Sequence, residues 1–240
     1  MFELFKKRRR KKITARPFPD IWLRMIEKRV PYYRLLSDEE KRRLLTHVKI
    51  FLAEKQFEGC GGIQVNDEMR VIIAAQACVL LLDRPADYYP NVGSIVIYPE
   101  AYIAPTRQHL PGDVVSEGHE VRVGESWDMG TVVLTWEEVQ DDTPDVDDGY
   151  NVVFHEFAHQ LQGDAWSAIL DREFQQLSRD TEEGYETLLD SYGATDPAEF
   201  FAVVTEVFFE MPFELKEEHP QLYEEFKKFY RQDPLERYRH

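Results

Sequence analysis

The hydrophobic pattern along the chain alternates between helical and strand periods. Asp20–Val30 reads as a short helix. Ser37 and Glu40 have the spacing of a capping box, and Leu44, Leu45, Val48, Phe51 and Leu52 follow on one helical face. After the Gly59–Gly62 cluster, a third helix is predicted from about Asp67 to Leu82. Its apolar run, Val71 to Leu82, is interrupted by Gln76 and flanked by Arg70, Asp83 and Arg84. A run of 12 residues falls short of a bilayer, so it predicts a buried helix. The middle of the chain changes character. Ser94–Tyr98, His119–Val123 and Thr131–Trp136 read as strands, the last rich in β-branched residues. An acidic loop, Asp141–Asp148, comes next, and helical periodicity resumes near Asn151 and continues to the end. Helices, then strands, then helices predict an α+β fold.

Charge changes this picture at one end only. The net charge is −16, yet residues 6–12 (KKRRRKK) carry seven positive charges. Removing those seven leaves 22 Lys+Arg against 45 Asp+Glu, a net of −23. Such a body repels nucleic acid over most of its surface, so no direct nucleic-acid binding is expected. Residues 1–16 are expected as a solvated, disordered basic tail. Residues 17–240 are expected as one domain with a helical N-terminal part over about 17–90. No apolar signal core follows the basic segment, and neither a secretory leader nor membrane insertion is expected. Cys60 and Cys78 give no disulfide framework and suit a reducing cytoplasm.

Candidate chemistry sits where the second helical region begins. Residues 155–159 read His-Glu-Phe-Ala-His. Positions i and i+4 share a helix face, so His155 and His159 can hold one Zn²⁺ between them. Glu156, at the edge of that face, can take a proton from a water beside the metal. Chance occurrence in a chain this long is on the order of 1%. The apolar neighbours Val152, Val153, Phe154, Phe157, Ala158 and Leu161 suit a buried active-site helix, and Gly163 is placed to end it.

A catalytic zinc takes three protein ligands and a water. A third histidine in the extended His-Glu-x-x-His-x-x-Gly-x-x-His pattern is absent, since residue 162 is Gln and 165 is Ala. His219 precedes Pro220 in a polar stretch and reads as a surface residue. Acidic residues of a following helix, Pro197 to about Glu210, are better candidates; Glu199 and Glu206 lie on one side of it. Asp196 is a good N-cap, however, and Glu199 then occupies the capping-box position. Spacing leaves Glu199 as either cap or ligand.

Six segments, in order, resemble the Mlc titration factor A family of bacterial zinc peptidases, whose catalytic region is similar to that of anthrax lethal factor. They are LSDEEKRRLL (36–45), IVIYPEAYI (95–103), GESWDMGTVVLTWEEV (124–139), NVVFHEFAHQL (151–161), SYGATDPAEFFAVVTEVFF (191–209) and FYRQDPLERY (229–238). The resemblance implies a zincin-like catalytic part over about 91–240, with a small mixed sheet and one zinc ion on His155, His159 and Glu199. It also implies that Tyr192 stabilises the transition state, with weak aminopeptidase-like activity on small substrates. Under it, Glu206 is either a carboxylate orienting a ligand histidine or a plain helix-face charge. Peptide or protein substrates are the expected partners. Named members titrate a transcriptional repressor, so a repressor protein is a further expected partner, and a non-catalytic binding role is the alternative. Gln162 departs from the family, whose members often carry Asp there; Asp164 is the candidate substitute. Thr131–Trp136 is expected at the upper edge of the cleft, pairing with an extended peptide.

Overall fold

A computed structural model describes residues 2–85, 87–100, 102–110, 114–122, 124–127, 130–142, 148–162 and 167–238. At 2–3, 102–110, 114–122, 124–127 and 142 the description is of the backbone alone. The chain opens with helices α1 (Phe2–Thr14), α2 (Asp20–Arg29), α3 (Tyr32–Leu35) and α4 (Asp38–Glu54). Strand β1 (Gln56–Gly59) and helix α5 (Asp67–Val79) follow. The central strands are β2 (Ser94–Tyr98), β3 (Tyr102–Leu110), β4 (Val114–Arg122), β5 (Gly124–Trp127) and β6 (Thr131–Thr135). The rest is helical: α6 (Trp136–Asp142), α7 (Val152–His159), α8 (Ala168–Glu183), α9 (Pro197–Glu210), α10 (Pro212–Glu218), α11 (Pro220–Tyr230) and α12 (Pro234–Arg237). The fold is α+β, as the pattern predicts.

The main sheet runs β1-β2-β6-β5. Its first three strands are parallel, and β5 is antiparallel to β6. In the β2–β6 register Ile95 faces Val132 and Ile97 faces Leu134, all four fully buried. Val132 to Thr135 are buried without alternation, as expected of a strand covered on both faces. Strands β3 and β4 form a separate antiparallel pair. Gly130 makes the turn into β6 at φ +76°, a conformation glycine adopts without strain. A Cβ there would lie 2.4 Å from the Asn91 carbonyl oxygen.

Two helices are apolar all round and therefore central. Every residue of α5 from Val71 to Val79 is buried, and every residue of α9 from Phe200 to Glu210. The capping box at Ser37 and Glu40 forms as predicted. Near the C-terminus the Arg237 guanidinium closes the fold onto its N-terminal helices, donating to Glu40 at 2.7 and 2.9 Å and to the Tyr32 hydroxyl at 2.6 Å.

The basic segment departs from expectation. Residues 2–14 form α1, and its docking explains why a charge run becomes ordered. Arg10 grips Glu54 with two hydrogen bonds of 2.8 and 2.7 Å, the paired geometry that favours arginine. Arg9 donates to the Ala53 carbonyl at the end of α4. Lys49 donates to the Thr14 and Arg16 carbonyls, capping the far end of α1.

Candidate metal centre

Helix α7 starts where Asn151 caps it: the side-chain oxygen accepts the Phe154 N–H at 2.9 Å. Val152, Val153, Phe154, Phe157 and Ala158 then bury its apolar sides. His155 and His159 stand one turn apart with ring centroids 5.0 Å apart. Glu156 lies between them in sequence and is buried. The helix ends at His159, with Gln160 as its cap. Gly163, predicted to terminate it, lies outside the described residues, as does Asp164.

Glu199 sits in the first turn of α9, where Pro197 and Asp196 start the helix. One Asp196 carboxylate oxygen accepts the N–H groups of both Ala198 and Glu199, at 2.7 and 3.0 Å. The Glu199 carboxylate points instead at the histidines. Its Oε2 is 2.9 Å from His155 Nε2 and 3.5 Å from His159 Nε2. Burial would raise the Glu199 pKa, but its hydrogen bonds to His155 and His159 outweigh burial and hold it down at about 2.

One nitrogen from each imidazole and one Glu199 oxygen lie within 4.8 Å of one another. Among the described residues this is the one group able to hold a metal ion. A tetrahedral Zn²⁺ with ligand bonds of ~2.0–2.1 Å separates its ligand atoms by ~3.3 Å, close to the distances found. Two imidazoles with one carboxylate also suit zinc chemically. The residues present fit the ion.

Glu206, two turns along α9, meets the other ring nitrogen of His155. Its Oε1 is 2.7 Å from His155 Nδ1, and its Oε2 accepts the Asn151 N–H at 2.6 Å. Of the two roles open for it, it thus takes the one of holding the histidine ring. Burial raises the Glu206 pKa against the pull of His155 and of the Asn151 N–H. For His155 burial acts downward, and the bonds to Glu199 and Glu206 reverse it, raising its pKa to about 10. Two participants escape sequence reasoning. Glu210, one turn beyond Glu206, accepts from the Asn151 side-chain amide at 2.9 Å, and Asn151 ties the start of α7 to both carboxylates. Burial drives the Glu210 pKa well above its ordinary value. The readable signal was three glutamates, 199, 206 and 210, spaced by seven and four in an otherwise apolar helix.

Tyr192 lies in a 3-10 turn, Ser191–Ala194, capped by Asp190. Its ring centroid is 6.0 Å from that of His155, and the residue is 54% exposed, on the open side of the cluster. Gln162 donates to the Pro197 carbonyl at 3.3 Å, joining the end of α7 to the start of α9. His219 is elsewhere, paired with Glu173 of α8 at 2.9 Å. One expectation is corrected by the topology. Thr131–Thr135 is an inner strand, bonded to β2 on one side and β5 on the other, so its backbone cannot pair with a peptide. Among the described residues the outer strand on that side is β5.

An α+β frame carrying two histidines and a glutamate in this arrangement describes a protein of the metal-dependent hydrolase kind. Comparison with known proteins makes the assignment specific. The chain matches the glucose-regulated metallo-peptidase M90 family over residues 4–165 and 162–231, and it belongs to that family. An uncharacterized protein of Synechocystis is 41% identical, over 95% of this chain and 89% of the relative. Mlc titration factor A of Pectobacterium atrosepticum is 33% identical, over 87% of this chain and 85% of its own length. The Serratia proteamaculans protein of that name is 31% identical, over 87% and 86%. The family agrees with the one the six sequence segments resemble.

Proposed function

We propose that the chain is a cytoplasmic zinc peptidase of zincin-like arrangement, with Zn²⁺ held by His155, His159 and Glu199. The observation that carries the reading is the convergence of those three side chains within 4.8 Å beside the buried Glu156. A zinc ion there supplies Lewis acidity, which brings the pKa of a water toward neutrality and polarises the scissile carbonyl. Glu156 takes the proton of the attacking water and delivers it to the leaving amine nitrogen as the C–N bond breaks. Tyr192 donates a hydrogen bond to the carbonyl oxygen as negative charge develops on it. Glu206 holds His155 through Nδ1, which leaves Nε2 directed at the ion. Peptides or unstructured protein segments are the substrates, with aminopeptidase-like cleavage of small ones.

The test is metal analysis joined to peptide cleavage. Glu156→Gln retains zinc and loses hydrolysis; near-wild-type turnover by a clean preparation refutes the mechanism. Glu199→Ala loses zinc; stoichiometric metal in that variant places the third ligand elsewhere. A second reading rests on the relatives' name, Mlc titration factor A. In it the chain sequesters a transcriptional repressor and its catalysis is dispensable. Repressor binding that survives both Glu156→Gln and metal removal favours this second reading.

A further inference from the structure

Helix α1 presents two different faces. Lys6, Arg10 and Ile13 turn inward, where Lys6 pairs with Asp87 at 2.9 Å and Arg10 with Glu54 at 2.7 Å. Leu4, Phe5, Lys7, Arg8, Arg9, Lys11 and Lys12 are exposed. Among the described residues Lys7, Arg8, Lys11 and Lys12 have no acidic partner, while Arg9 donates to the Ala53 carbonyl and feels the neighbouring Glu54 carboxylate. Four cations therefore stand without an acidic partner on a chain that is otherwise strongly acidic. Ahead of them on the same helix, Leu4 and Phe5 are 65% and 62% exposed. Phe5, Lys6, Arg8, Arg9, Lys12 and Glu54 border an open hollow of about 790 Å³.

We propose that α1 is a docking surface for an anionic lipid bilayer, with Leu4 and Phe5 entering the head-group boundary and Lys7, Arg8, Arg9, Lys11 and Lys12 lying on the lipid phosphates. A basic patch joined to an apolar anchor is the combination that gives stable yet reversible adsorption. Each cation near an anionic surface contributes about 1 kcal/mol, and the field decays within ~8–10 Å. The outward face of the docked helix, with its row of cations, can thus lie on a flat anionic surface. A nucleic acid on the same helix would leave the exposed Leu4 and Phe5 without an apolar environment. The helix adsorbs and does not cross: among the described residues no helix is long and apolar enough to span a membrane.

The test is sedimentation of the full chain with phosphatidylcholine vesicles, with and without phosphatidylglycerol, across a salt series. Binding is expected with the anionic vesicles alone and falls steeply as salt rises. Lys7, Arg8, Lys11 and Lys12 changed together to Gln reduce partitioning by about 100- to 1,000-fold. Leu4→Ser with Phe5→Ser reduces it by about 10- to 100-fold, since two partly inserted apolar side chains are lost from the head-group boundary. All six positions are exposed, so circular dichroism should confirm an intact fold in each variant. Failure to bind anionic vesicles at physiological salt overturns the proposal. So does binding that the Leu4 and Phe5 changes leave untouched while duplex DNA is bound as tightly.

Discussion

Replacing Glu206 by Gln probes the least conspicuous contact of the centre. The residue is 2% exposed, and its two oxygens face two N–H donors: His155 Nδ1 at 2.7 Å and the Asn151 backbone at 2.6 Å. A carboxylate accepts both. The amide of Gln keeps one acceptor and presents an NH₂ group to the other partner, so in either orientation a donor meets a donor. Facing Asn151, the NH₂ leaves a buried backbone N–H unsatisfied at a cost of about 1–3 kcal/mol. Facing His155, it opposes the tautomer that directs Nε2 toward Glu199 and His159. Part of the cost is offset, because a buried carboxylate is removed. Stability is therefore the ambiguous readout and metal affinity the decisive one. The expected loss is 10- to 100-fold in zinc affinity, about 1.4–2.8 kcal/mol. Competition against a chromophoric chelator measures it, with urea unfolding of the metal-free protein alongside. Zinc affinity within about twofold of wild type would refute the idea that Glu206 orients the histidine.

Three further outcomes follow from particular contacts. Asn151→Ala removes the cap on Phe154 N–H and the amide donated to Glu210, and should cost about 2–4 kcal/mol in urea unfolding; a loss below about 1 kcal/mol speaks against the network. His47 is partly buried against the Tyr88 hydroxyl at 2.7 Å, and burial, aided by Arg43, lowers its pKa to about 4 from the ordinary ~6.5. Between these values the unfolded chain takes a proton that the folded chain refuses, so this stability is complete above pH ~6.5 and is lost as pH falls toward 4, by about 2–3 kcal/mol. Thermal melts across that window should show a shallower acid slope for His47→Gln; parallel slopes would exclude His47 as the source. Gly130→Ala forces a side chain onto φ +76° and into the Asn91 carbonyl, which backbone on both sides cannot readily yield. It should lower stability by about 2–4 kcal/mol, and an unchanged urea midpoint would show that the turn can be rebuilt.

What could be read from the chain depended on the reach of the interaction. The pairing of His155 with His159 is local, set by one helical turn. Glu199 was ambiguous because a capping glutamate and a ligand glutamate occupy the same first-turn position. Only in three dimensions does it emerge that Asp196 accepts two N–H groups by itself and that the Glu199 carboxylate points at the histidines. Strand β1 is not legible in the sequence, because Gln-Phe-Glu-Gly has no clear alternation and is defined by parallel pairing with residues 94–97, far along the chain. The KKRRRKK run has the composition of a solvated tail, and its order comes from Glu54 and the Ala53 carbonyl, 44 residues away. Thr131–Thr135 was readable as a strand, yet no periodicity says which edges its neighbours occupy.

The three glutamates of α9 show how the centre and the core are linked. Glu206 and Glu210 are both 2% exposed among phenylalanines and valines, and burying a carboxylate costs several kcal/mol unless donors meet it. An apolar side chain of similar length would fill the same space without that cost. The donors come from one short stretch, Asn151 through His155, at the beginning of α7. Asn151 thus does two things: it starts the helix that carries both histidines, and its backbone and side chain each donate to one of the two deepest carboxyl groups. His155 is then fixed from both sides of its ring, with Glu206 at Nδ1 and Glu199 at Nε2. Packing alone would leave an imidazole free to rotate about its last torsion, and an ion held by a rotating ring is held weakly. The buried Glu206 carboxyl group thus fixes one ring, at the expense of a core that an apolar residue would have made more stable.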